Sequence, residues 1–158
     1  MASEIVERRL VLTRSYAASP ALVFAAWTEP ERMKHWWGPK GWTIPHSEAD
    51  LRRGGAFRYT MRSPDGHEHI VDGTITEIDP PRRIVTLSEL GGDGNHPPVT
   101  VVTAVTFEEQ DGSTLVTIET TASASGEMID AATEGMEQGW TEHLDRLAEY
   151  LSTANGKE

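Results

Sequence analysis

His67, Glu68 and His69 stand in succession, and histidines two apart on a strand face the same side, a spacing that suits two ligands of a divalent metal. The Pro64-Asp65-Gly66 turn signal just before them supports a plainer reading, a solvated loop leading into a strand. Spacing places no third ligand, so neither a metal nor a cofactor is expected. Glu89 shares strand parity with Val85 and Leu87. Pointing inward with them, its carboxyl would be desolvated, its pKa raised, and it would suit general acid or base work. A solvated strand end is the commoner place for a glutamate. His143 adjoins Leu144 in a helical stretch, and the helical period puts it on an outward or flanking position. There is no G-x-S-x-G elbow, no H-E-x-x-H pair and no cysteine, and Gly91-Gly92-Asp93-Gly94 lacks the strand-to-helix setting of a phosphate cradle.

What remains is recognition chemistry. Trp37, Trp42, Phe57, Tyr59 and Trp140, with Met61 and Met136, are expected to face a gap between a sheet and a helix and to line a ligand cavity there. The same rings are also the ordinary way to fill a wide core. Trp36 and Trp37 are adjacent and cannot both face inward from a helix, so one of them is expected as a partly exposed lid. Gly135 and Gly139 lie one turn apart in a helical stretch, where close packing of helix on strands is expected to offset their low helix propensity.

The elements that position these residues follow from pattern. Ile5 to Tyr16 is a strand by its Val, Leu, Ile and Thr content. Ser19-Pro20 opens a short helix over 20–27, and the Thr28 and Glu31 spacing predicts a capping box for a second one, stopped by Gly38-Pro39. From Trp42 to Glu119 the pattern changes to about six strands separated by Gly, Pro and Asp turns, and Asp111-Gly112 predicts a tight antiparallel hairpin. Phe57, Tyr59 and Met61 alternate with Arg58, Thr60 and Arg62, so one sheet face is dry. Ile129, Ala132, Met136, Trp140, Leu144, Leu147 and Leu151 recur at helical steps, predicting one long C-terminal helix capped by Ser125 that covers that face. Glu127 and Asp130 suit the start of that helix and Asn155-Gly156 its stop.

The 158 residues suit one domain over 1–158 of class α+β, able to bury roughly 70% of its unfolded surface. A net charge of −11 repels phosphate backbones and anionic lipid, so neither nucleic acid nor membrane is expected as a partner. With no basic, apolar leader and no run of about 18 apolar residues, a cytoplasmic location is expected.

This order, with Ser19-Pro20, Val23 to Thr28, Trp36-Trp37-Gly38-Pro39, Gly54-Gly55 before Phe57-Arg58-Tyr59, and Gly139-Trp140 with Leu144, Leu147, Tyr150 and Leu151, resembles the SRPBCC or START-like superfamily over nearly the whole chain. Within it the chain is similar to the bacterial branch named after the activator of heat-shock protein 90 ATPase. The resemblance implies the helix-grip fold of the birch-pollen-allergen-like proteins: about seven curved antiparallel strands, two short helices and one long C-terminal helix. The superfamily includes lipid and hormone carriers, polyketide cyclases and aromatases. The eukaryotic activator engages its chaperone through a separate N-terminal domain that this sequence lacks, so chaperone stimulation is not carried over. The expected function is binding of a hydrophobic or aromatic small molecule between sheet and helix. The alternatives are a cyclase or hydrolase using Glu89 or a histidine, and a protein-interaction module, as a homodimer or co-chaperone, with Trp36 in an exposed patch.

Overall fold

The fold is that of a computed structural model, which describes residues 5–38, 40–90, 99–126, 129–133 and 136–155. Ile5–Tyr16 is β1, as its composition predicts. Ser19 caps α1 (Pro20–Thr28): its Oγ accepts the Leu22 amide at 3.2 Å, and Pro20 occupies the first turn, where no amide donor is required. α2 (Pro30–Met33) follows, but without the expected capping box. Thr28 remains inside α1 and its hydroxyl donates to the Phe24 carbonyl at 2.8 Å, so Glu29 takes the cap position with no side-chain bond. An acceptor one turn back, already fixed by the helix, wins over an amide ahead of it.

The remaining strands are β2 (Thr43–Ala49), β3 (Ala56–Arg62), β4 (Glu68–Asp79), β5 (Arg83–Leu90), β6 (Val99–Gln110) and β7 (Ser113–Ser125). With β1 they form one antiparallel sheet in the order β1-β7-β6-β5-β4-β3-β2. β1 and β2 lie at opposite edges, so the two short helices carry the chain across the sheet and successive hairpins then bring it back. Asp111 (φ 51°) and Gly112 (φ 84°) both adopt positive φ between β6 and β7, the tight turn their sequence predicts.

The C-terminal segment departs from expectation. It is divided into α3 (Ile129–Thr133) and α4 (Met136–Asn155). Ser125 stays in β7 opposite Ile5, and it is buried with no hydrogen-bond partner for its Oγ among the described residues. The β1–β7 ladder extends to this residue and claims its backbone before a helix can start. Glu127, Gly135, Gly156 and residues 91–98 lie outside the described residues.

α4 sits on the concave face through Leu144, Leu147 and Leu151, which share a core with Tyr16, Phe24, Trp36, Val116 and Ile118. The Tyr16 hydroxyl donates to the Leu144 carbonyl at 2.9 Å, and burial raises its pKa far above the usual phenol range. Exposed pairs add orientation: Arg14 meets Asp145 at 2.8 Å, and Arg8 meets Asp130 of α3 at 2.9 Å. Gly139 does not mark the expected close packing, since a Cβ there would meet nothing within 4 Å.

Two substitutions test this placement by urea unfolding. Leu147→Ala, at a side chain with 0% exposure, lowers stability by about 2–5 kcal/mol. Gly139→Ala raises it by up to about 1 kcal/mol, because the added methyl has room and helix propensity improves.

Candidate functional site

Beside the packed leucines, α4, the short helices and the concave face border a partly open cavity of about 290 Å³. That is close to the lower end of the roughly 300–1,000 Å³ spanned by small-molecule sites. Its floor comes from β2 to β6, and its cover from Trp27, Pro30, Met33, Trp37, Trp140 and His143. β1 and β7 contribute nothing to it, because the core containing Leu144 and Leu147 fills that side.

Five of the seven residues read from the sequence as cavity-lining meet here: Trp37, Phe57, Tyr59, Met61 and Trp140. Trp42 and Met136 lie elsewhere. Trp42 follows Gly41, whose φ of 89° turns the chain, and its ring packs on His69 at 5.6 Å. Met136 begins α4 and rests on the separate small cluster of Ala122, Ala124 and Ile129. The aromatic rings interlock. Trp27 stacks on Trp140 at 6.1 Å and 14°, Trp37 stands perpendicular to Trp140 at 5.7 Å, and Phe57 lies nearly parallel to Tyr59 at 6.3 Å.

Other expectations are corrected. Trp36 is fully buried and its indole donates to the Ala26 carbonyl at 2.9 Å, so it forms neither a lid nor an exposed patch. Trp37, half-buried in the cavity cover, takes the partly exposed position expected of one of the pair, and the amides of both tryptophans donate to the Met33 carbonyl in the turn after α2. Glu89 does not face the cavity. Thr86 and Ser88 do, and the alternation of β5 sends Glu89 to the opposite face, in a wide depression of about 690 Å³ with Glu48, Asp50, Arg58 and Asp72. Arg58 and Asp72 are paired there at 3.1 Å. In the histidine cluster, Glu68 pairs with Arg62 and His67 lies near Asp65 at 3.5 Å. Among the described residues no group of three or more His, Asp or Glu is arranged to hold a metal ion.

The model of the family described as Activator of Hsp90 ATPase homolog 1-like protein matches residues 17–152. The chain belongs to that family. No curated protein matches it. Among solved structures, a Nitrosomonas europaea protein is 28% identical with a TM-score of 0.80, over 94% of this chain and 96% of its own. A Rhizobium leguminosarum protein is 26% identical with a TM-score of 0.73, over 97% and 99%. The AHSA1 protein of Silicibacter pomeroyi, at 24% identity and a TM-score of 0.72 over 93% and 99%, shares the fold. Among the described residues of this activator-homologue chain, no helix is long and apolar enough to cross a membrane.

His143 is the polar residue that sequence reading misplaced. It lies three residues after Trp140, and that spacing puts both on one helical face, a signal overshadowed by its neighbour Leu144. The Gly38 amide donates to its Nδ1 at 2.9 Å, and its ring packs against Trp37 at 4.6 Å and Trp140 at 5.3 Å. Gly38 itself has φ of 100°, a conformation that favours glycine. Arg146 donates to the carbonyls of Trp37 and Gly38 at 3.1 and 2.9 Å, and the Lys40 amide donates to Glu142 at 2.9 Å. Burial lowers the His143 pKa to about 4, with Arg146 lowering it further and Glu142 opposing. Tyr59 is pushed the other way, to about 12, by burial, against a hydrogen bond from Trp37. The cavity thus carries a neutral imidazole and a protonated phenol.

This family member is therefore expected to lose stability as pH falls from 6.5 towards 4, where the unfolded chain binds a proton at His143 and the folded chain does not. The contribution is complete above 6.5 and declines below it, by at most about 1.4 kcal/mol per pH unit. Urea unfolding at several pH values in this window checks it, and His143→Gln is expected to flatten the dependence.

Proposed function

We propose that the protein binds a hydrophobic or aromatic small molecule in the gap between the concave sheet face and α4. The observation that carries this reading is the cavity of about 290 Å³ with its aromatic cover. A gap surrounded by Trp27, Trp37, Phe57, Tyr59 and Trp140 offers an apolar compound both burial and ring stacking. Membership of a family with a fold typically used to hold ligands supports the same reading. With Glu89 on the other face, an acid or base at that position has no part in it.

Titration calorimetry and tryptophan fluorescence with bicyclic aromatics and medium-chain fatty acids test the proposal. At least one class is expected to saturate at one site per chain. Val71→Phe, which extends a cavity-wall side chain into the space, is expected to weaken binding by at least about tenfold, the equivalent of losing about 1.4 kcal/mol. Absence of saturable binding by every compound up to its solubility limit would overturn the reading.

A further inference from the structure

His143 supplies more than a wall to this cavity. Its Nδ1 accepts the Gly38 amide, so that nitrogen carries no proton, and in the neutral ring the proton must reside on Nε2. Among the described residues Nε2 has no hydrogen-bond partner, although the ring lines the cavity. Turning the ring over would put the Cδ2–H where Nδ1 stands and leave the Gly38 amide unpaired, moving the proton to Nδ1 would set an N–H against that amide, and Trp37 and Trp140 pack against the ring. Protonation has the same fault: an imidazolium donates from both nitrogens and would confront the Gly38 N–H. The geometry therefore holds a neutral ring with one donor unmet.

The hydroxyls of Ser47, Tyr59, Thr86 and Ser88 also line the space, and three further polar groups are engaged elsewhere. The Thr103 hydroxyl is hydrogen-bonded to the Thr120 hydroxyl at 3.1 Å. Among the described residues lining the cavity Glu48 is the only charged one, and its side chain is exposed beside His46 at 3.4 Å. Arg146, the cation packed near His143, directs its guanidinium to the carbonyls of Trp37 and Gly38. With no cation lining the space among the described residues, an anionic ligand would enter it at a large desolvation cost.

We infer that the cavity selects neutral aromatic compounds bearing a hydrogen-bond acceptor, such as a ketone or quinone carbonyl, which receives the His143 Nε2 proton. This rests on the small-molecule reading above and narrows it to a ligand class.

The test compares three compounds of similar shape by calorimetry at pH 7: 2-acetylnaphthalene, 2-ethylnaphthalene and 2-naphthoate. The ketone is expected to bind about three- to tenfold more tightly than the hydrocarbon, the worth of one neutral hydrogen bond, and the carboxylate most weakly. In His143→Leu the ketone's advantage is expected to vanish while the hydrocarbon still binds. An unchanged preference in that variant, or equal or tighter binding of the hydrocarbon or carboxylate by the wild type, overturns this inference and leaves the cavity reading standing. Failure of all three to saturate overturns this inference, and the cavity reading falls with it only where the medium-chain fatty acids fail as well. Should His143→Leu not fold, nitrogen-15 spectra of the wild-type imidazole decide: Nε2 must be the protonated nitrogen and must shift on addition of the ketone, and a proton on Nδ1 or an unmoved Nε2 resonance refutes the assignment.

Discussion

The placement of α4 above the concave face is the constraint on which the rest of the molecule depends. Two sets of hydrogen bonds hold it. On the β1 side the buried Tyr16 hydroxyl donates to the Leu144 carbonyl, and on the other side the chain between Trp37 and Lys40 is bound to His143, Arg146 and Glu142. Moving the helix along its axis would separate these partners, and buried polar groups without partners are expensive. Its height above the sheet is thereby set as well. Leu144 and Leu147 reach the core on the β1 and β7 side, and over β2 to β6 a space remains that side chains do not fill.

The bonds that fix the helix also determine the chemistry of that space. Gly38 is both the positive-φ residue of the turn after α2 and the donor to His143 Nδ1, so one backbone position orients an imidazole in the cavity cover. Arg146 is occupied with carbonyls of the same turn, which keeps a cation close to the site and out of its lining. The net charge of −11 is consequently an outer property. The space within is lined by aromatic, aliphatic and hydroxyl groups, a setting for recognition of uncharged molecules.

Apolar alternation read the packed regions well and the cavity wall poorly. Val116 and Ile118 alternate with Thr117 and Glu119 and face the core, where that part of the sheet is covered by side chains. On β5 the inward set is Ile84, Thr86 and Ser88, while Val85 and Leu87 take the opposite face. A cavity wall carries no packing demand equal to that of a core, so hydroxyl residues are tolerated there. The greasier parity then points the wrong way, and the inward alternative for Glu89 fails with it, while the solvated strand-end reading of that residue agrees with its exposure.

The sequence by itself determined the element order, the antiparallel hairpins, the dry face of β3 and the amphipathic C-terminal segment. All of these depend on local periodicity and on turn residues such as Asp111 and Gly112, whose effects act within a few positions of the chain. Only the tertiary structure decided that Trp36 is buried while Trp37 faces the cavity, that Trp42 and Met136 lie away from it, and that His143 enters it. Those outcomes depend on contacts between different elements, some of them about a hundred positions apart, as Gly38 is from His143. Periodicity ranks the faces of one element, and it contains no information about which distant backbone amide will need an acceptor.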